Sequence, residues 1–112
     1  SLYNRRKVIM MAENKLADIS TEFAVQILRL TGSIKGYYSL CSQLERSGTS
    51  IGANIREAKY AHSKADFIAK LQISLKECYE TEYWIEVGQK LKSLLLMQQK
   101  AFCTIVVLSA VC

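Results

Sequence analysis

Gly48 and Gly52, four residues apart in a segment that otherwise reads as a helix, constrain the fold of this chain more than any other feature. At helical spacing Leu40, Leu44, Ser47, Ile51, Ile55 and Ala58 fall on one face, and Gln43, Arg46, Ser50, Asn54 and Glu57 form a polar stripe beside it. A free-standing helix would not use this composition, because each glycine in a helix interior costs about 1 kcal/mol relative to alanine. Such a segment is held by tertiary contacts, and the missing side chains let a neighbouring helix approach closely. The expectation is a tight helix crossing with a polar network along one edge.

The rest of the chain agrees with an all-α fold. Its 112 residues suffice for a single domain, and the absence of proline with only five glycines suits long helices joined by few turns. Hydrophobic residues at 50% and charged residues at 22% place the chain among folded rather than disordered sequences. A first helix is predicted from about Asn14 to Ile34, with Asn14 as N-cap and residues 1–13 as an N-terminal arm. Phe23, Ile27, Leu30 and Ile34 repeat at helical spacing there, and Leu16, Ile19 and Leu28 widen the apolar face. Gly32 and Gly36 mark a frayed end and a turn. A second helix is predicted from about Leu40 to Tyr60, with Ser39 as cap.

Ala61-His62-Ser63 connects to a third helix, which Ser63 caps with Asp66 at the capping-box position. This helix runs from Lys64 to about Val87, carries Phe67, Leu71, Leu75, Cys78, Glu82 and Ile85 at bundle spacing, and ends near Gly88. A fourth helix is predicted from about Leu91 to Ala110. Ala101 to Cys112 holds no charge and includes Ile105-Val106-Val107, residues that favour strand as readily as helix. That run falls short of the roughly 20 apolar residues of a membrane span. A buried C-terminal helix, partly covered between subunits, is the reading adopted, and no membrane partner is expected.

Candidate chemistry is sparse. Glu77, Glu80, Glu82 and Glu86 invite a metal-site reading, but di-iron bundles need inward Glu-x-x-His motifs, and the single histidine, His62, has Lys59 three residues before it. No metal, cofactor or small-molecule substrate is expected, and no catalytic residue. A carboxylate of Glu77 or Glu80 can instead pair with Arg46 and Asn54 across the second and third helices, Arg offering a rigid fork. Arg46, Ser50, Asn54, Glu77 and Glu80 would then form a polar network that fixes register; the competing reading leaves these charges solvated. Four cysteines, Cys41, Cys78, Cys103 and Cys112, show no zinc spacing. The first three lie on or near apolar faces and read as small core residues. Gly48 to Gly52 lacks the Gly-Lys-Ser/Thr ending of a phosphate loop. Tyr37, Tyr38, Tyr60, Tyr79, Tyr83 and Trp84 could stack bases, but as helix-end and interface aromatics they need no such role, and packing is the reading adopted.

Arg5-Arg6-Lys7 precedes only Val8 to Ala12, an apolar run too short for a secretory signal. A cytoplasmic setting with free thiols follows as an expectation. The net charge of +5 permits contact with nucleic acid, although 10 acids are interspersed among 15 bases. Arg56, Lys59, Lys64 and Lys70 bracket the connector between the second and third helices and are the candidate contacts, with Arg5, Arg6, Lys7 and Lys76 as outlying ones.

The segments SQLERSGTSIGANIREA (Ser42 to Ala58), HSKADFIAKL (His62 to Leu71) and LKECYETEYW (Leu75 to Trp84), and more loosely TEFAVQILRL (Thr21 to Leu30), make the chain resemble a known family. It is similar to the bacterial four helix bundle proteins encoded in intervening sequences of large-subunit ribosomal RNA genes. The resemblance covers most of residues 15–86. It implies an up-down-up-down four-helix bundle, assembly into a ring (a homo-oligomer, with a pentamer favoured) and no established enzyme activity. Cys78-Tyr79 departs from the family, where a small residue followed by Arg is more usual. Two functions are carried forward: a non-enzymatic self-assembling scaffold and, as the alternative, an RNA- or DNA-binding accessory factor. The resemblance lends the second some support, since relatives lie in ribosomal-RNA gene insertions and some serve reverse transcription of retroelements.

Overall fold

The computed structural model describes residues 1–91, and these form three α-helices with no strand among them: α1 (Leu2–Ser33), α2 (Tyr38–Lys59) and α3 (Lys64–Lys90). The fourth helix expected from Leu91 to Ala110, and the strand alternative around Ile105, fall almost wholly outside the described residues; Leu91 itself is the C-cap of α3.

Short connections make consecutive helices antiparallel. α2 is central and packs on both neighbours, whereas no Cα of α1 comes within 8 Å of one on α3. The stripe expected on α2 is buried throughout: Leu40, Leu44, Ser47, Ile51, Ile55 and Ala58, joined by Cys41 and Gly48. Phe23 and Ile27 of α1 and Leu71, Cys78 and Ile85 of α3 complete the core, with Leu16, Leu30, Ile34, Phe67, Leu75 and Trp84 partly buried against it. Leu28, assigned to the apolar face of α1, is instead 48% exposed. The inward row of α1 runs through Ser20, Phe23, Ile27 and Thr31, which leaves Leu28 a full residue off that line. On α3 the buried row Leu71, Ser74, Cys78, Thr81, Ile85, Gly88 alternates steps of three and four, the spacing of a bundle seam.

Three boundaries differ from expectation. α1 begins at Leu2, not Asn14: Ser1 is the N-cap, its side chain accepting from Asn4 N at 3.2 Å. Residues 2–13 are therefore helix rather than an arm, since no proline or glycine interrupts the chain before Gly32. α2 starts at Tyr38, one turn position before the expected Ser39 cap; Gly36 (φ 84°) and Tyr37 (φ 52°) reverse the chain in the left-handed region, and Tyr37 caps with no side-chain bond. The turn at the other end agrees with the sequence, Ser63 Oγ accepting from Asp66 N at 3.0 Å. α3 continues past Val87 because Gly88 is buried within the helix instead of stopping it in a left-handed turn.

Candidate functional site

The polar edge of α2 divides into two parts. At its middle, Arg46 reaches α3: its Nη1 donates to Glu77 Oε2 at 3.2 Å, its Nη2 pairs with Glu80 Oε2, and its Nε donates to Gln43 Oε1 at 3.3 Å. Trp84 Nε1 donates to the same Glu80 oxygen at 3.2 Å. A guanidinium spreading over two carboxylates one turn apart is a register clamp between α2 and α3. Its setting is half solvent: the Arg46 side chain is 48% exposed and that of Glu77 is 18%. Ser50 and Asn54 do not join the clamp. Ser50 Oγ donates to Arg46 O at 2.6 Å and Asn54 Nδ2 to Ser50 O at 2.8 Å, both within α2. Short polar side chains satisfy themselves on the preceding turn more easily than across a helix pair.

The cross-helix bond that sequence reasoning missed lies deeper. Ser74, fully buried on α3, donates its hydroxyl to Ile51 O at 2.9 Å. Thr31 of α1 likewise donates to Glu45 Oε1 of α2 at 2.8 Å. Both residues occupy positions in the buried rows, so a serine or threonine at seam spacing was the available signal. Trp84, four residues after Glu80, was legible as an i, i+4 pair.

At the far end, the α2–α3 turn carries an open cleft of about 450 Å³ lined by Arg56, Glu57, Tyr60, His62, Asp66 and Lys70. The four proposed nucleic-acid contacts gather around this end but are not equivalent. Lys70 Nζ pairs with Glu57 Oε2 at 3.3 Å, and Lys59 Nζ donates to Asn14 Oδ1 at 2.9 Å, joining the turn to α1. Arg56 lines the cleft, and Lys64 is exposed in the first turn of α3. Asn14, expected to cap a helix, is thus an acceptor for the neighbouring turn.

Among the described residues no three His, Cys, Asp or Glu side chains converge as metal ligands, and no helix is long and apolar enough to cross a membrane. Cys41 is a free, buried thiol; burial, with Glu45 adding to it, pushes its pKa above the ordinary 9.0.

No curated protein is similar to the chain. A crystal structure of a protein of unknown function from the S23 ribosomal protein family of Bacteroides thetaiotaomicron is similar, at 41% identity and a TM-score of 0.75 over 89% of this chain and 91% of that one. The sequence model for the 23S rRNA-intervening sequence protein matches residues 12–105, taking in the clamp, the buried Ser74 bond and the cleft. Over that length, the chain belongs to the 23S rRNA-intervening sequence protein family.

Proposed function

We propose that the chain is a non-enzymatic, self-assembling helical scaffold. The observation that carries this reading is the apolar surface left on both flanking helices: Val25 and Leu28 on α1, and Ile68, Tyr79 and Tyr83 on α3, are each between 41% and 56% exposed. Ile68 and Tyr79 fall on one side of α3 at helical spacing, and Tyr83 stands beside the clamp, its ring edge-on to Trp84 at 4.9 Å. Apolar faces of this kind are better buried between subunits, and closed symmetry buries all of them. Two finer parts belong to the same proposal and draw support from the family resemblance: a fourth helix formed by the segment after α3, and closure into a ring, a pentamer by preference. A cytoplasmic setting belongs to it as well. Light scattering at micromolar concentration should give one discrete oligomer, and Tyr79→Glu with Tyr83→Glu should lower its mass. A monomer at that concentration would end the scaffold reading.

The cleft end favours a second reading, weak and sequence-tolerant binding of RNA or DNA. Among the described residues Arg56 and Lys64 form no ion pair, and both stand at the turn that also carries Lys59 and Lys70. Each phosphate neutralised should steepen the fall of log affinity with log salt by about 0.7 for single strands. Charge reversal at Arg56, Lys59 and Lys64 should flatten that slope with little change in melting temperature. No retention of labelled RNA or DNA at low salt removes this reading and leaves the first intact.

A further inference from the structure

α3 carries two seams. Its buried row, Leu71, Ser74, Cys78, Thr81, Ile85 and Gly88, packs toward α2. On the opposite side Gln72, Lys76, Tyr79, Tyr83, Glu86 and Lys90 repeat at alternating steps of four and three, which is again heptad spacing. At the turn per residue of an α-helix these positions fall within an arc of about 80°. All of them are exposed, Tyr79 at 48% and Tyr83 at 56%. Tyr83 is the member nearest the clamp, and Trp84 braces its ring edge-on at 4.9 Å. Among the described residues Lys76 and Glu86 form no ion pair. A heptad row on the solvent side of a helix, with two tyrosines at its middle, has the spacing of a helix face that packs on another helix.

We propose that this outer row of α3 pairs antiparallel with the same row of a second copy, about a two-fold axis at the level of Thr81. The order of the charges selects that arrangement. A parallel pair in register would set Lys76 against the partner's Lys76 and Glu86 against the partner's Glu86. An antiparallel pair centred on position 81 instead sets Lys76 against the partner's Glu86, Tyr79 against the partner's Tyr83 and Gln72 against the partner's Lys90. The contact is isologous, so each pairing occurs twice. Heptad classes agree: Lys76, Tyr83 and Lys90 share one position, Gln72, Tyr79 and Glu86 the other, and antiparallel helices pack one class against the other. Tyrosines then fill the centre, and opposite charges flank them on both sides. A polyanion would gain Lys76 and Lys90 but meet Glu86 between them. The competing protein face is α1 of a neighbour, where Val25 and Leu28 are exposed, yet the α3 row is already complementary to itself. This inference rests on the self-assembly reading and assigns α3 one part of it. An isologous contact closes at two copies, so any ring is closed by other faces.

The test is sedimentation velocity of the full chain over a micromolar concentration series, with charge reversals at the two ends of the row. Lys76→Glu sets carboxylate against carboxylate on both sides of the axis, and Glu86→Lys sets ammonium against ammonium. Each alone should weaken the two-fold association about tenfold and halve the mass where the unaltered chain is paired. An equimolar mixture of the two variants should recover that mass, because every altered end then meets an opposite charge. Both reversals in one chain should recover it for the same reason. Both residues are exposed, and an unchanged helical circular dichroism signal shows that the variants fold. A mass insensitive to either single reversal overturns the proposal and leaves self-assembly standing. A loss that neither mixing nor the double reversal recovers also overturns it, and assigns the row to a different face of a neighbour or to another protein. An unaltered chain that is monomeric throughout removes the self-assembly reading and this inference together.

Discussion

Against α1, α2 presents glycines; against α3 it presents a buried backbone carbonyl and, at the rim, an arginine. A Cβ placed on Gly48 would lie 3.1 Å from both Cγ1 and Cγ2 of Ile27 and 3.4 Å from its Cβ, and one on Gly52 would lie 3.1 Å from Ser20 Oγ. On the other side, Ser74 reaches Ile51 O, and Arg46 spans Glu77 and Glu80. The first contact is limited by shape where the glycines lie, with Thr31–Glu45 and Lys59–Asn14 bonds nearer its ends; the second is organised by polar pairing along its middle. They should therefore fail differently: the first on adding atoms, the second on removing donors, and the second more gently because solvent already shares its rim.

The largest effect should come from adding volume at Gly48. Gly48→Leu cannot be absorbed beside an isoleucine that is 1% exposed, and should cost about 3 kcal/mol, read as a lower urea midpoint. Gly48→Ala is the sharper version. Alanine's better helix propensity, worth about 1 kcal/mol, works against the clash, so the net loss should be small. Ile27→Ala should interact favourably with it in a double-mutant cycle, because removing Cγ1 and Cγ2 makes room. Additive losses would mean that the crossing is not shape-limited.

Next in size is the polar contact. Ser74→Ala should cost about 1 kcal/mol, since the donor is lost in a buried setting while Ile51 O keeps its place in the helix. Arg46→Ala should cost less, about 0.5–1 kcal/mol, and the loss should shrink in high salt. Stranding a fully buried carboxylate would cost about 3–5 kcal/mol; the 48% exposure of the Arg46 side chain reduces that. An Arg46→Ala loss above that of Ser74→Ala would reverse the ranking of rim and interior.

A control glycine separates shape from propensity. Gly32, in the last turn of α1, has nothing within 4 Å of where a Cβ would stand. Gly32→Ala should raise stability by a few tenths of a kcal/mol, opposite in sign to Gly48→Ala. The smallest expected effect concerns pH. Because burial raises the Cys41 pKa, the folded state holds its proton more tightly than the unfolded chain. The associated stability is full below the unfolded value near 9.0 and is lost as pH rises from there through the higher folded value. Cys41→Ser should therefore flatten the alkaline fall in melting temperature measured from pH 8 upward.

Helix identity was legible because it is written locally. The α2 stripe, the Ser63 cap and the Arg46, Glu77 and Glu80 grouping all follow from residue spacing within one or two helices. Periodicity alone also showed that α2 must be approached closely at Gly48 and Gly52. It could not say by which residues, since Ile27 and Ser20 are more than twenty residues away and the meeting depends on how two helices cross. The start of α1 was misread for a related reason. Residues 2–13 bury nothing, so they lack the one-sided pattern by which a packed helix announces itself, and only continuity with the packed turns makes them helical. Ser50 and Asn54 were assigned to the cross-helix network because they share a face with Arg46. Facing a neighbour permits a bond, but the nearer carbonyl of their own helix won. The sequence by itself determined which faces turn inward, through the 3.6-residue period; the tertiary structure decided which atoms meet there, because distance between helices is a property of their packing and not of either one alone.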